Sequence, residues 1–495
     1  MLKTVKHRSF LVRGAALALT LACMTGCGDD DEPNPTPIPD AGTQTDAGTD
    51  PLPDSGTDPT PDAGTGPLDS DIAVVRLNAD GTQDTTFGAG GVTHVDFGTG
   101  RDGTRDSLWD VRVDSTDRIV LFGNKRADGT RADTDRVVAR LTSAGALDTA
   151  FGSAATPNGF SVLNLSNLND GMRYGFIQPD GKIMTSGYTS MPTGVGAQAA
   201  NRIVLQRLND DGKADESFGW KGVVTSAPFQ AQSETNPEWG MAEAYAAGLQ
   251  SNGSYVTTGY GRSASSGTVD LVSFRYTATG ELDPTWGTGG SVVLDLAGDN
   301  DRGRNLVVLN DDRVLHVGSG TPSAQNIQAM LLLQTPNGQP DTTFAPEGYK
   351  VYGFERPEQA FFGVAKSADG NWAAAVGYRA GGNQNDDGIL AIIPTGGTGT
   401  EVVKVAPIST TENDRFWSVT FDSENRIYAA GFVTEGGDNQ MVVARFTTDG
   451  NLDPSFGTGG IAKVNVVTAA TEETARGIAI QSDGKIVIGG PIEKQ

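Results

Sequence analysis

Asp84-Thr85-Thr86-Phe87-Gly88 returns along the chain as Asp148-Thr149-Ala150-Phe151-Gly152, Asp215-Glu216-Ser217-Phe218-Gly219 and Asp283-Pro284-Thr285-Trp286-Gly287. It weakens to Asp341-Thr342-Thr343-Phe344, misses one turn of the cycle, and comes back as Asp453-Pro454-Ser455-Phe456-Gly457. The aromatic residues stand 64, 67, 68 and 58 positions apart and then 112, two steps of 56. A fixed spacing near sixty marks one supersecondary unit copied along the chain. Six equivalent aspartates serve a scaffold better than a catalyst, and they are read as structural.

Each unit offers four strand-like runs, which in the first are 92–97, 108–113, 118–122 and 136–142. The second and third are joined by tight turns such as Pro179-Asp180-Gly181, Asn252-Gly253, Asp369-Gly370 and Asp483-Gly484. Asp-Gly and Asn-Gly supply the positive φ of two-residue hairpins. These hairpins are entered at Leu108, Arg173, Met241, Arg304, Phe361, Arg415 and Arg476, which makes seven. Seven four-stranded units predict an all-β chain, a seven-bladed β-propeller. The last unit stops after its third strand, and 71–78 begins with an orphan strand, so 71–78 is predicted to complete the last blade.

Arginine precedes the signature Asp by eight residues in five units: Arg76, Arg140, Arg207, Arg275 and Arg445. The unit that lacks the signature has Pro394 instead, and the one that loses its glycine has Gln334. Joint presence and loss predicts an ion pair inside the blade.

Asp453 to Gly460, followed by Ile478-Ala479-Ile480-Gln481-Ser482-Asp483-Gly484-Lys485-Ile486-Val487, resembles the delta-60 repeat of bacterial β-propeller domains. Many of these sit on myxobacterial surface lipoproteins. The resemblance spans about 71–490 and implies the fold and a cell-surface setting, with no catalytic residue to carry over.

Composition narrows the function. A net charge of −24 without a basic stripe excludes nucleic acid as a partner and direct docking on anionic lipid. The only cysteines, Cys23 and Cys27, lie at the N-terminus, and only His94 and His316 lie beyond it. No cofactor and no metal-ligand set is expected, nor a His-Glu-x-x-His pair, a Gly-x-Ser-x-Gly elbow or a phosphate loop.

Residues 1–27 read as a secretory signal, with Lys3, Lys6, Arg8 and Arg13 ahead of a short apolar run. Met24-Thr25-Gly26-Cys27 resembles a bacterial lipobox, so Cys27 is the expected site of lipidation. Residues 28–70, rich in Pro, Asp, Gly and Thr, read as a disordered, self-repelling tether rather than as a calcium binder. Residues 71–495 form the propeller. The expected location is beyond the inner membrane, anchored by lipid at the outer membrane or cell surface.

In a meander the tight hairpins and the signature crossovers share one face of the disc. The irregular connections share the other: 98–106, 124–135, 189–201, 226–238, 261–269, 379–387, 406–414 and 433–438. Irregular loops on a rigid scaffold are where binding resides. Tyr188, Tyr260, Tyr378 and Phe432 each follow a strand-closing glycine and are candidates for an aromatic mouth around the axis, or for plugs between blades. Arg173, Arg304, Arg415 and Arg476 begin second strands near acidic pairs such as Asn413-Asp414 and Glu472-Glu473, read as a solvated charged rim or a cation site. The expected function is a non-catalytic, monomeric binding scaffold for a protein, glycan or matrix component outside the cell. A carbohydrate-active or lyase-type enzyme with carboxylates in the channel mouth is the alternative, and a purely structural envelope protein is a third.

Overall fold

The computed structural model describes residues 70–493, apart from 98–105, 128–130, 132, 153–158, 193–198, 230–240, 263–267, 297–298, 324–325, 382–384 and 397–398. The expected signal sequence, Cys27 and the tether up to residue 69 lie outside the described residues, as do parts of several irregular loops.

Seven four-stranded antiparallel sheets follow one another along the chain, and no helix occurs among the described residues. Blade 1 runs from an inner strand, Ser107–Val113, through Ile119–Arg126 and Thr134–Leu141 to a short outer strand, Phe160–Leu163. The middle strands are near-continuous apolar runs because both faces of each sheet are covered by neighbouring blades. Asp270–Tyr276 and Val314–Gly320 are buried along their whole length, whereas the outer strand Val223–Ser226 has no buried residue. The core therefore lies between blades. Leu315, Val317 and Leu331 of blade 4 pack with Phe361, Ala373 and Ile389 of blade 5 in one cluster.

The N-terminal segment closes the ring as expected, but with two strands. Ser70–Leu77 pairs with Ile486–Glu493 from Ser70↔Glu493 to Leu77↔Ile486. Val92–Val95 then pairs on its other side as the outer strand, and Gly477–Ile480 is the inner one. The frame of the repeat is thus shifted by one strand from the sequence reading. The run at 92–95 ends blade 7 instead of beginning blade 1, and the signature joins third to outer strand within a blade. The two faces of the disc keep the loops assigned to them. Several irregular loops are shorter than expected, because the middle strands extend to Arg126, Pro192 and Glu435.

The tight hairpins have three-residue loops, not two. In blade 1 the Asp114 N–H bonds to the Arg118 carbonyl and the Asp117 N–H to the Asp114 carbonyl, with only Asp117 at positive φ, 62°. One left-handed residue after a type I turn suffices. Asn425 at 62° and Gly484 at 83° do the same in blades 6 and 7.

The signature is a clasp. Arg76 Nε donates to Asp84 Oδ2 at 2.8 Å, and Arg140–Asp148, Arg207–Asp215, Arg275–Asp283 and Arg445–Asp453 pair at 2.7–2.9 Å. The same guanidiniums cover the signature aromatics, from 4.6 Å at Phe151 to 5.0 Å at Trp286. Phe87, Phe218 and Phe456 are covered likewise. The clasp also reaches the next blade. The Gly88 N–H donates to Ala144 O at 3.1 Å, Gly287 to Asn337 O at 3.0 Å and Gly457 to Asp80 O at 2.7 Å. In blade 4 Ala345 replaces the glycine, and blade 5 has no signature turn to receive the bond. There Gln334 binds His316 Nε2 at 2.9 Å, Asp341 takes Arg313 at 3.3 Å instead, and Lys350 lies 4.3 Å from the Phe344 ring centroid.

Candidate functional site at the propeller axis

The inner strands of blades 1 to 6 each carry a β-bulge on the side of the irregular loops, at Trp109, Arg173, Tyr245, Arg304, Phe362 and Trp417. Arg476, just ahead of Gly477–Ile480, takes the matching place in blade 7. A bulge pushes one residue out of the ladder and re-aims its side chain. Opposite each one, the second strand has a glycine: Gly123, Gly187, Gly259, Gly318, Gly377, Gly431 and Gly490. A Cβ at any of these would overlap the carbonyl oxygen two residues ahead of the bulge position. This is why the strand-closing glycine repeats.

The seven side chains meet around the axis and alternate cation with ring. Arg173 lies 4.8 Å from the Trp109 centroid and 4.7 Å from that of Tyr245. Arg304 lies 4.9 Å from Tyr245 and 5.0 Å from Phe362. Arg476 lies 4.0 Å from Trp417 and 5.6 Å from Trp109. An odd number cannot alternate throughout, and the remaining contact is the edge-on pair Phe362–Trp417 at 5.1 Å. Each desolvated cation–π contact is worth about 1–2 kcal/mol. The plug leaves a cavity of about 50 Å³, room for a few waters and far below the ~300 Å³ of a small-molecule site.

All eight axial candidates from the sequence converge here. Arg173, Arg304 and Arg476 are ring members in or beside inner strands, which were expected to be second in the unit. Arg173 and Arg304 are buried, not solvated. Tyr188 backs the ring beneath Arg173 at 5.0 Å, and Tyr378 stacks on Phe362 at 5.5 Å with no exposed surface. Tyr260 lies against Tyr245 at 5.6 Å, and Phe432 packs beside Phe362 and Trp417. Arg415 stands over Tyr378 at 4.0 Å and pairs with Asp386 at 2.5 Å. Tyr188 and Tyr378 thus fill the space behind the ring and do not line an open mouth.

Among the described residues two acids neighbour the ring, each held by an arginine. Asp110 pairs with Arg112 at 2.7 Å, and burial pushes its carboxyl up to about 6 against the pull of Arg112. Glu243 meets Arg173 at 3.4 Å and accepts from Asn201 at 2.6 Å. Burial opposes the Arg173 charge, yet Tyr245 and Glu243 hold its pKa well above the ordinary value.

One member of each acidic pair read as a rim, Asp414 or Glu473, is a buried staple. Asp414 accepts from the backbone N–H groups of Ile408, Ser409 and Gly388 at 2.8–3.0 Å. Glu473 accepts from Val466 and Val467, Asp170 from Leu165 and Ser166, and Asp301 from Leu296 and Thr321. Each pins the connection between two blades at the mouth of the inner strand. Burial raises Asp414 to about 6 while its three donors pull it down.

Trp109, Tyr245, Phe362 and Trp417 escaped the sequence reading because the position changes residue from blade to blade. The signal available was spacing: the bulge residue stands 14 positions ahead of the glycine in six blades and 15 in blade 5.

Three stretches, residues 69–87, 178–218 and 423–456, match a family described as "Domain of unknown function (DUF5122) beta-propeller". No curated protein matches the chain. Among solved structures the chain is similar to the polysaccharide lyase Uly1, 10% identical over 85% of this chain and 98% of that one, with a TM-score of 0.44. It is similar to the Penicillium chrysogenum alpha-L-arabinanase complexed with arabinobiose, 13% identical over 69% and 93%, TM-score 0.40. The propeller domain of the Trilobed protease from Pyrococcus furiosus is 10% identical over 76% and 87%, TM-score 0.38. At such identities the likeness is one of fold alone.

Proposed function

We propose that this protein is a non-catalytic binding propeller of the cell envelope, anchored through a lipidated Cys27. Its ligand docks where the irregular loops surround the axial ring. The observation that carries this reading is the ring itself. In a chain of net charge −24, three arginines and four aromatics gather on one axis. With about 50 Å³ inside, no sugar ring enters, so the ligand seats on the rim across exposed parts of Trp109, Arg476 and Arg415. Guanidinium beside aromatic faces suits a planar anionic group, such as the carboxylate of an acidic glycan or peptide.

Acid–base cleavage of a glycosidic bond uses two facing carboxyl groups. Asp110 is the one carboxylate that lines the axial cavity among the described residues, and Arg112 holds it. The test is an array of acidic glycans, peptidoglycan fragments and acidic peptides probed with the full chain, with product release assayed in parallel. Binding without turnover, weakened at least tenfold by Arg476→Ala, supports the reading. Released product overturns it.

A further inference from the structure

We infer that the junction between blades 3 and 4 holds a site for a hard divalent cation of the calcium class, built by Asp270, Asp295 and Asp301. Oxygens of the three carboxylates lie within 4.8 Å of one another. Asp270 opens the third strand of blade 3, Asp270–Tyr276. Asp295 follows its outer strand, Ser291–Leu294, and Asp301 precedes the inner strand of blade 4, Arg302–Val308. A cation here would join two blades on the face of the irregular loops.

Two observations on Asp270 separate this triad from an ordinary acidic cluster. Asp270 is only 5% exposed, and its Oδ1 is buried with no hydrogen-bond partner among the described residues. An orphaned carboxylate oxygen is costly inside a protein unless a charge meets it. The related blade 1 shows what a neutralised version looks like. Arg136 pairs with Leu163 at the register where Leu271 pairs with Leu294, so Asp135 occupies the place of Asp270. Asp135 has Arg131 at 3.1 Å, whereas among the described residues no ion pair reaches Asp270.

The donor set names the metal class. All three ligands are carboxylates, without imidazole or thiolate, which suits calcium or magnesium over zinc or copper. Asp301 is aimed by two backbone donors, Leu296 at 2.5 Å and Thr321 at 2.8 Å, and keeps lone pairs on both oxygens. Asp295 is exposed, so water can complete the six to eight oxygens that calcium takes with little geometric demand.

Full-length protein freed of metal with chelator and titrated with CaCl2 tests the site by calorimetry and thermal melting. The expected wild-type result is saturable binding with Kd on the order of 10⁻⁴–10⁻³ M. At about 10 mM calcium the Tm should rise by roughly 2–5 °C. Asp270→Asn and the surface variant Asp295→Asn should lose both responses, with Asp270→Asn melting no lower than the chelated wild type because a repelled charge is gone. No response in the wild type overturns the site. An equal response in wild type and both variants overturns it too, by assigning the binding to other acids, such as those of 28–70.

Discussion

The guanidinium of Arg476 stands over the Trp417 ring, 4.0 Å from its centroid, and so joins blade 7 to blade 6 at the axis. The same group also reaches Trp109 of blade 1. Arg476→Ala is expected to cost about 1–2 kcal/mol of stability in denaturant titration. Arg476→Lys should recover only part, since ammonium lacks the flat face that stacks.

Arg173 and Glu243 form a buried pair, and breaking it from one side leaves an uncompensated charge. Arg173→Met should destabilise by about 3–5 kcal/mol, while Arg173→Met with Glu243→Gln should regain only the part due to the stranded Glu243 charge, since the contacts with Trp109, Tyr188 and Tyr245 stay lost. A double-mutant cycle in urea reads the coupling. Equal losses in the single and double variants would remove the pair from the account.

Deletion of 71–78 takes out the third strand of blade 7, on which both Ile486–Glu493 and Val92–Val95 depend. Ile72, Val74, Val75 and Leu77 are all fully buried or nearly so. Their burial is worth roughly 6–12 kcal/mol at about 1.5–3 kcal/mol each, comparable to the ~5–15 kcal/mol that holds a typical domain together. Calorimetry should show the main transition lost or sharply lowered, and an unchanged melt would refute closure by this strand.

The signature acids set the behaviour in acid. The Thr86 hydroxyl, then Lys485 and Arg76, hold Asp84 far below its ordinary value near 3.8. At Asp215 burial pushes upward and is outweighed by Ser217, Lys182 and Arg207. Folded values below the unfolded one mean that this stabilisation is present above about pH 4 and is lost as pH falls further. Asp84→Asn and Asp215→Asn should be less stable at pH 7 and should flatten the decline in stability below pH 4. Chemical unfolding from pH 2 to 7 makes the comparison.

Metabolic labelling with a palmitate analogue tests the anchor. Wild-type protein should carry label and partition with membranes, and Cys27→Ala should do neither. Label retained in Cys27→Ala would move the site to Cys23, and no label on the wild type would remove the anchor.

The blade count, the closing strand and the two faces were legible because strand, hairpin and signature recur at one period. The phase of the repeat was not. A periodic sequence has no intrinsic first strand, and only the pairing of Val92–Val95 with 72–75 fixes where a blade ends. The Arg–Asp spacing of eight could be read directly, since the two residues flank one tight turn. That the clasp glycines reach the neighbouring blade could not, because the partners are backbone carbonyls of residues as different as Ala144, Asn337 and Asp80. The axial ring stayed hidden for a different reason. Its position demands a large or cationic side chain and tolerates Trp, Arg, Tyr or Phe. The Asp270, Asp295 and Asp301 group is assembled from three strand ends of two blades, which only the fold brings together.

Blade 5, which lacks the signature, gives the ring a local sensitivity to ionic strength. Beside their apolar cores, its junctions carry partly exposed polar contacts in place of the clasp: Lys350 with Glu401 at 2.5 Å, Arg313 with Thr395 O at 2.7 Å and Lys404 with Gly450 O at 2.9 Å. Mobile ions screen exposed charges beyond ~10 Å at 0.1 M and act weakly on buried pairs such as Arg207–Asp215. Added salt therefore weakens this polar margin of the two junctions beside blade 5 more than it weakens the buried clasps. The apolar clusters behind them, with Leu315 and Phe361 on one side of blade 5 and Val376 and Phe416 on the other, keep both junctions shut, so salt trims their edges without opening the disc.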